Sequence, residues 1–299
     1  MTSKRLDELV TESRSVAAAD YESRPTRELV ELMNHEDAAV AGVVAAAAAP
    51  IAALIDAVVD RLARGGRLIY AGAGTSGRLA ALDAAECEAT FSTERGQVVA
   101  LVAGAELTSP REQEAAEDHA DAGESDVQRA GVSAADAFVA VSASGRTPYV
   151  LGAARAASAA GALTGCIVST PGSELAQLVD HEVAVIVGPE FIAGSTRLKA
   201  GTAQKLVLNT LSTISMIRQG KTHGDLMVDV SAANEKLRAR ARRTVLLGTG
   251  ASPEAADAAL EAAGGSAKVA IVSLLAGIDP DAARARLAEA GGSIRKALG

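Results

Sequence analysis

Residues 67–78 read RLIYAGAGTSGR, and residues 137–148 read AFVAVSASGRTP. Each is a short apolar run that closes on a small-residue loop carrying Ser-Gly-Arg and then enters a helical stretch. An apolar run of this length without alternation reads as a strand buried on both faces. A strand that passes through a tight loop into a helix is the start of a βαβ unit. Two such units imply a parallel sheet with helices on both faces. In open sheets of that kind ligands bind beyond the carboxyl ends of the strands, so both loops are expected at one edge.

Outward from these two units the same texture recurs at Val98–Val102, Leu163–Ser169 and Val183–Val187. Upstream, residues 1–64 read as helical. Thr26 is placed to cap a segment through Leu29, Leu32 and Met33, Asp37 to start another through Val40 and Val44, and Pro50 to open Ile51–Ala63. Downstream, residues 201–218 form one long helical segment. From about residue 240 only helical texture remains, broken at Gly264-Gly265 and Gly291-Gly292 and restarted by Asp279-Pro280-Asp281. The expected organisation is a helical segment (1–64), an α/β domain (65–238) and a small helical subdomain (239–299).

Composition narrows the function. A chain of 299 residues, 48% of them hydrophobic, can bury a sizeable core, and with 2% aromatics and no Trp that core must be Ala, Val, Leu and Ile. A formal net charge of −8 weighs against general binding to nucleic acid or anionic membrane, so an anionic ligand must be drawn by a local site. Cys87 and Cys166 lack metal-ligand or disulfide-framework spacing. The N-terminal MTSKRLDELVTESRS has no apolar signal region, and no apolar stretch has membrane-spanning length, so the chain reads as cytosolic.

Three segments carry candidate chemistry. Gly72–Gly77 fits GxGxxG, which invites a dinucleotide reading. That reading needs an acidic residue at the end of the next strand, whereas Val102 is followed by Ala103-Gly104-Ala105, with Glu106 late. Gly74, Thr75 and Ser76 remain candidates to meet a ligand, because glycines let backbone amides approach it and the helix start favours negative charge. Ser142, Ser144, Arg146 and Thr147 form the second candidate, a phosphate cradle at a helix start opened by Pro148. A plain serine cap would need only one hydroxyl, and the helix end itself adds about 0.3–1 kcal/mol toward an anion. The third is Gly194–Lys205, with Ser195, Thr196 and Lys199, rich in donors and cations; its plainer reading is a solvated helix start. Among carboxylates, Glu86 is flanked by Ala84, Ala85, Cys87 and Ala89, surroundings that would raise its pKa, and Glu117 lies in the acidic helical stretch 111–121. On composition alone each is more simply a surface charge.

The runs GAGTSGRLAALDAAEC (72–87), SASGRTPYV (142–150), GSTRLKAGTAQKLVLNTLST (194–213) and LMVDVSAANEKL (226–237) resemble the N-acetylmuramic acid 6-phosphate etherases, in order and across nearly the whole chain. Relatives of that family include sugar-phosphate isomerase domains and the glucokinase regulatory protein. The resemblance implies a sugar-isomerase-type three-layer α/β sandwich with a central parallel sheet and a small C-terminal helical subdomain. It implies cleavage of the D-lactyl ether of N-acetylmuramic acid 6-phosphate, giving N-acetylglucosamine 6-phosphate and D-lactate in cell-wall sugar recycling. It implies no metal and no organic cofactor, with Glu86 as acid, Glu117 as base, and Ser76, Ser195 or Thr196 meeting the enolate charge. The chain departs from the family pattern at Glu88-Ala89, where prolines are usual, at His223-Gly224-Asp225 and at Leu198. Glu88 adds a second carboxylate beside Glu86. Glu86 stands nine residues past Gly77, about 13 Å along a helix. A second copy of the chain is therefore expected to complete each site in a homodimer. A sugar-phosphate isomerase and a non-enzymatic sugar-phosphate sensor are the alternative readings.

Overall fold

The computed structural model describes residues 12–14, 16–229 and 235–299. The helical reading of residues 1–11, and the part of the 226–237 run at 230–234, lie outside the described residues. Three helices open the chain: α1 (Thr26–Ala38), α2 (Val40–Ala46) and α3 (Ala48–Ala63). Thr26 is the first helical residue and not the cap; Pro25 precedes it in extended backbone, and no side chain caps α1. Asp37 lies inside α1, which runs on to Ala38, so it starts no helix. Pro50 sits in the first turn of α3, where a missing amide proton costs nothing.

There follow β1 (Leu68–Gly72), α4 (Gly74–Phe91), β2 (Val98–Val102), α5 (Pro110–Ala115), α6 (Ala120–Arg129), β3 (Ala137–Val141), α7 (Pro148–Ala159), β4 (Leu163–Val168), β5 (His181–Ala184) and α8 (Lys199–Arg218). The five strands form one parallel sheet in the order β2-β1-β3-β4-β5. The last strand begins at His181, two residues before the apolar run that suggested it, because an edge strand carries polar residues that a central one does not. α7 packs on β1, β3 and β4, burying Tyr149, Val150, Ala153 and Ala157 against Ile69, Ala71, Phe138 and Ala140. α3 packs on β3, β4 and β5. The small side chains let helix and sheet backbones approach closely.

The strand order positions the site. From β1 the chain steps outward to β2, then returns to the other side of β1 for β3. The point between β1 and β3 is the topological switch, where open α/β sheets bind ligands. Gly72 is in register with Val141, so the loops after β1 and β3 leave the sheet side by side, as their shared plan suggested.

The described residues group into two compact units. The first gathers those up to Ala84 with Gln97–Leu211, and the second gathers Ala85–Gly96 with Ser212–Gly299. The second holds a two-stranded hairpin, β6 (Thr222–His223) and β7 (Leu226–Met227), and the helices α9 (Glu235–Thr249), α10 (Pro253–Ala262), α11 (Ala267–Ala276), α12 (Pro280–Glu289) and α13 (Ile294–Leu298). Ser252, Ser266, Asp279 and Ser293 accept hydrogen bonds from the first free amides of α10 to α13. The Asp279-Pro280 start is as the sequence indicated. Val245, Ala256, Ile271 and Val272 are among its fully buried residues. Lys268 is buried beside them, and burial lowers its pKa against the opposing effect of Asp229, whose carboxylate accepts from Nζ at 2.6 Å. No single helix among the described residues is long and apolar enough to cross a membrane.

Candidate active site

The first glycine loop is shorter than its motif suggests. α4 begins at Gly74 (φ +52°), so Thr75 and Ser76 lie in its first turn. A Cβ on Gly77 would sit 2.7 Å from the carbonyl oxygen of Gly72 and 2.7 Å from Val102 Cγ1. Only glycine lets α4 rest this close to the strand ends, so the last glycine of GxGxxG serves packing. Ser76 Oγ donates to Gln204 Oε1 at 2.9 Å, tying α4 to α8. Lower on the same helices, buried Asp83 accepts from Tyr70 Oη (2.9 Å) and Asn209 Nδ2 (2.7 Å). Gln204 is 1% exposed, and its Nε2 has no partner among the described residues.

The second loop braces itself. The Ser142 and Thr147 hydroxyls are 3.0 Å apart, Gly145 N donates to Ser142 Oγ (3.1 Å), and Arg146 N donates to Ser144 Oγ (3.3 Å). Thr147 stands at the N-cap of α7 without capping it through its side chain. The half-buried Ser144, Arg146 and Thr147 stand together at that helix start, a position whose first amides favour negative charge.

The end of β4 adds hydroxyls that the sequence reading passed over. Ser169 N donates to Ala143 O at 2.9 Å, which draws this strand end to the second loop, and Ser173 packs against Gly145. Ser169 and Thr170 are buried, with hydroxyls lacking partners among the described residues. The run STPGS (169–173) was the available signal: it too is a hydroxyl-rich loop after a strand.

The third segment divides its tasks. A Cβ on Gly201 would lie 3.4 Å from Thr196 O and 3.5 Å from Thr75 Cγ2, so Thr196 and the start of α4 meet there. Ser195 and Thr196 are half-buried. Glu12, also passed over in sequence, sets its carboxylate against Gly194. Glu190, fully buried, accepts from the amides of Lys199 and Ala200, both at 2.9 Å, and so occupies the start of α8. Lys199 Nζ is 2.8 Å from Glu36 and nearly buried, so its charge is met inside the chain.

Glu117 lies in a short turn (Ala116–Asp118) after α5, with Oε2 4.0 Å from where a Cβ on Gly74 would be. Its carboxyl therefore faces the opening turn of α4. Burial pushes its pKa up, and the neighbouring carboxylates of Asp118 and Glu114 push it further. Glu86 and Glu88 are both exposed on α4, and Leu82, one turn back, is 56% exposed. The apolar surroundings expected for Glu86 are absent among the described residues: Cys87 is buried and Glu86 exposed.

The five-stranded parallel order, with a glycine turn and a hydroxyl-rich loop side by side at its switch point, defines the class as a sugar isomerase (SIS) domain. Residues 50–158 match the glucokinase regulatory protein N-terminal SIS domain, and residues 114–214 match the SIS domain. The fold is shared with phosphoheptose isomerase from Neisseria gonorrhoeae, at 17% identity and a TM-score of 0.50 over 64% of this chain and 98% of that one. Two much nearer relatives are N-acetylmuramic acid 6-phosphate etherases. That of Rubrobacter xylanophilus is 59% identical over 91% of this chain and 90% of its own, and that of Streptomyces avermitilis 54% over 90% and 87%. The chain belongs to the N-acetylmuramic acid 6-phosphate etherase family.

Proposed function

We propose that the chain is a cytoplasmic carbon–oxygen lyase that cleaves the D-lactyl ether of N-acetylmuramic acid 6-phosphate in cell-wall sugar recycling. Its products are N-acetylglucosamine 6-phosphate and D-lactate. The observation that carries this is 59% identity to a named etherase over nine-tenths of both chains. The cradle of Ser142, Ser144, Arg146 and Thr147 suits the 6-phosphate.

In the proposed reaction the sugar ring opens to expose an aldehyde at C1, which makes the C2 proton acidic. Glu117 takes that proton. The C2 electron pair forms a C2–C3 double bond, the C3–O ether bond breaks, and the departing lactate oxygen receives a proton from Glu86. Water then adds across the double bond, its hydroxyl going to C3 and a proton returning to C2. A raised carboxyl pKa makes Glu117 a stronger base than an ordinary glutamate, and general acid–base help of this kind is worth about 10²–10⁴-fold. Ser76 gives its proton to Gln204, so toward the substrate it accepts. The enolate charge then falls to the Ser195 and Thr196 hydroxyls and the first amides of α4.

Glu86 is exposed in the single chain beside Leu82. We place it in the site of a second copy, in a homodimer whose interface covers that face and withdraws the carboxyl from water.

Incubation with N-acetylmuramic acid 6-phosphate in H₂¹⁸O should release lactate and put label at C3; an isomerase would release none. Glu117→Ala should abolish C2 proton exchange, and Glu86→Ala should block lactate departure while leaving exchange. Wild-type behaviour from both variants would overturn the assignment. Mixing the two inactive variants should restore roughly a quarter of wild-type activity, because half the dimers are mixed and each holds one complete site. No restoration would place both glutamates in one chain's site.

A further inference from the structure

The helical unit holds a cleft of about 670 Å³ that the proposed reaction does not use. Arg218, Arg295 and His223 line it, with the hydroxyl residues Thr222 and Ser293. None of its lining residues is acidic, in a chain with 37 acidic against 29 basic residues. Another cleft of this unit, by contrast, sets Glu235, Asp257 and Glu261 among its arginines. The side chains of Arg218, His223 and Arg295 make no ion pair or hydrogen bond among the described residues.

The cleft has a structural origin. A Cβ on Gly220 would stand 2.9 Å from Ser293 Cα, so the chain just past α8 is pressed against the start of α13. Arg218 precedes that contact by two residues, and Arg295 follows it by two. The wall is apolar: Ile217 is 45% and Leu247 60% exposed there. Positive charge left unpaired in an acidic chain, on one side of an apolar recess, matches an anion with a carbon body.

We infer that this cleft is a second binding site, for a small phosphate monoester held by Arg218 and Arg295 with His223 as third donor. Each guanidinium offers a planar pair of N–H groups to phosphate oxygens. Two such forks match a dianion better than a single carboxylate. This inference does not depend on the lyase reading.

Histidine NMR of the full chain tests it, because the chain has four histidines and His223→Gln assigns the resonance. Titration with inorganic phosphate should move the His223 signal to saturation, and N-acetylglucosamine 6-phosphate should move it at lower concentration. Both responses should persist in Ser144→Ala, which alters the cradle of the first unit. They should weaken by at least about tenfold in the double variant Arg218→Gln, Arg295→Gln, as loss of charge-assisted hydrogen bonds requires. Both arginines are exposed, and a thermal melt like that of the wild type would show the variant folded. The inference is overturned if neither phosphate moves His223, or if the double variant responds like the wild type. It is equally overturned if D-lactate binds more tightly than phosphate, which would make the site one for carboxylates. If the double variant fails to fold, the single variant Arg295→Lys decides: wild-type affinity there refutes the fork.

Discussion

At the amino edge of the sheet, Arg67 and Asp136 close on one another; at the carboxyl edge, buried polar atoms stand without partners among the described residues. Asp136 is 2% exposed and accepts from Arg67 N and Nε (3.0 Å each), Arg67 Nη2 (2.8 Å) and Ser133 N (3.0 Å). The rest of the guanidinium donates to the carbonyls of Ala130 and Gly131. Burial alone would raise the Asp136 carboxyl, but the hydrogen bonds from Arg67 and Ser133 outweigh it and hold it below the usual range. At the other edge Ser169 Oγ, Thr170 Oγ1 and Gln204 Nε2 lack partners among the described residues, and burial raises the Glu117 carboxyl. A buried polar group without a partner costs about 1–3 kcal/mol. One edge of the same sheet has its buried charges met within the chain, and the other, where the proposed substrate site lies, has buried polar atoms unmet among the described residues.

The largest expected effect lies at the carboxyl edge. Glu117→Gln should lower kcat by about 10²–10⁴-fold, the usual worth of a positioned base, without lowering Tm. Folding raises this carboxyl. Its contribution to stability is complete below the unfolded value of about pH 4 and is lost as pH rises through the folded one. Glu117→Gln should therefore flatten Tm against pH in that window. A fall in Tm with activity retained would make Glu117 part of the scaffold.

Next comes the amino edge. Asp136→Ala leaves Arg67 without its partner and should cost about 3 kcal/mol of stability, with kcat unchanged at temperatures where the variant is folded. The depressed carboxyl gives the opposite pH sign. Its contribution is present above the unfolded value of about 3.9 and is lost as pH falls through the lower folded value. Asp136→Asn should remove that acid sensitivity, as urea melts at several pH values would show. A kcat that falls as far as stability would erase the distinction between the edges.

Much of the fold was legible because parallel strands are buried on both faces and appear as apolar runs ending in small residues. Where burial is one-sided the reading slipped. β5 lies at the sheet edge, and its polar His181-Glu182 start gave no apolar signal. The two strand-end loops were legible through their shared Ser-Gly-Arg plan, whereas STPGS, which the structure sets beside the second loop, lacks that plan. The surroundings expected for Glu86 differ for a geometric reason: its sequence neighbours face other directions on a helix, where residues three and four apart are the true neighbours. Glu117 showed the reverse, because its burial comes from a turn folded over α4, which no local pattern announces. Lys199 read as one of the cations of a donor-rich segment and is paired with Glu36, 163 residues away in sequence.

A smaller effect is expected at Gln204. Replacing it with Met removes a buried amide whose Nε2 has no partner among the described residues, and releases the Ser76 proton. Stability should hold or rise, while KM rises roughly tenfold with the loss of one oriented hydrogen bond. A loss of stability with KM unchanged would show the Ser76–Gln204 bond to be an ordinary tie between α4 and α8.

The smallest effect is the sharpest test of the comparison. Thr170→Val keeps the shape of the side chain and deletes one hydroxyl that is buried without a partner among the described residues. Where a hydroxyl is met within the chain, that deletion would break a hydrogen bond and lower stability by about 1 kcal/mol. Where the hydroxyl is unmet, nothing is broken in the free protein, and the cost of burying it disappears. Stability in urea should therefore stay level or rise by up to about 1 kcal/mol, while the affinity for N-acetylglucosamine 6-phosphate falls. Because the two readouts move in opposite directions, a general loosening of the fold cannot imitate the result. If stability drops and affinity holds, Thr170 belongs with Asp136 among the groups met within the chain, and the boundary between the two edges must be drawn nearer to Ser142.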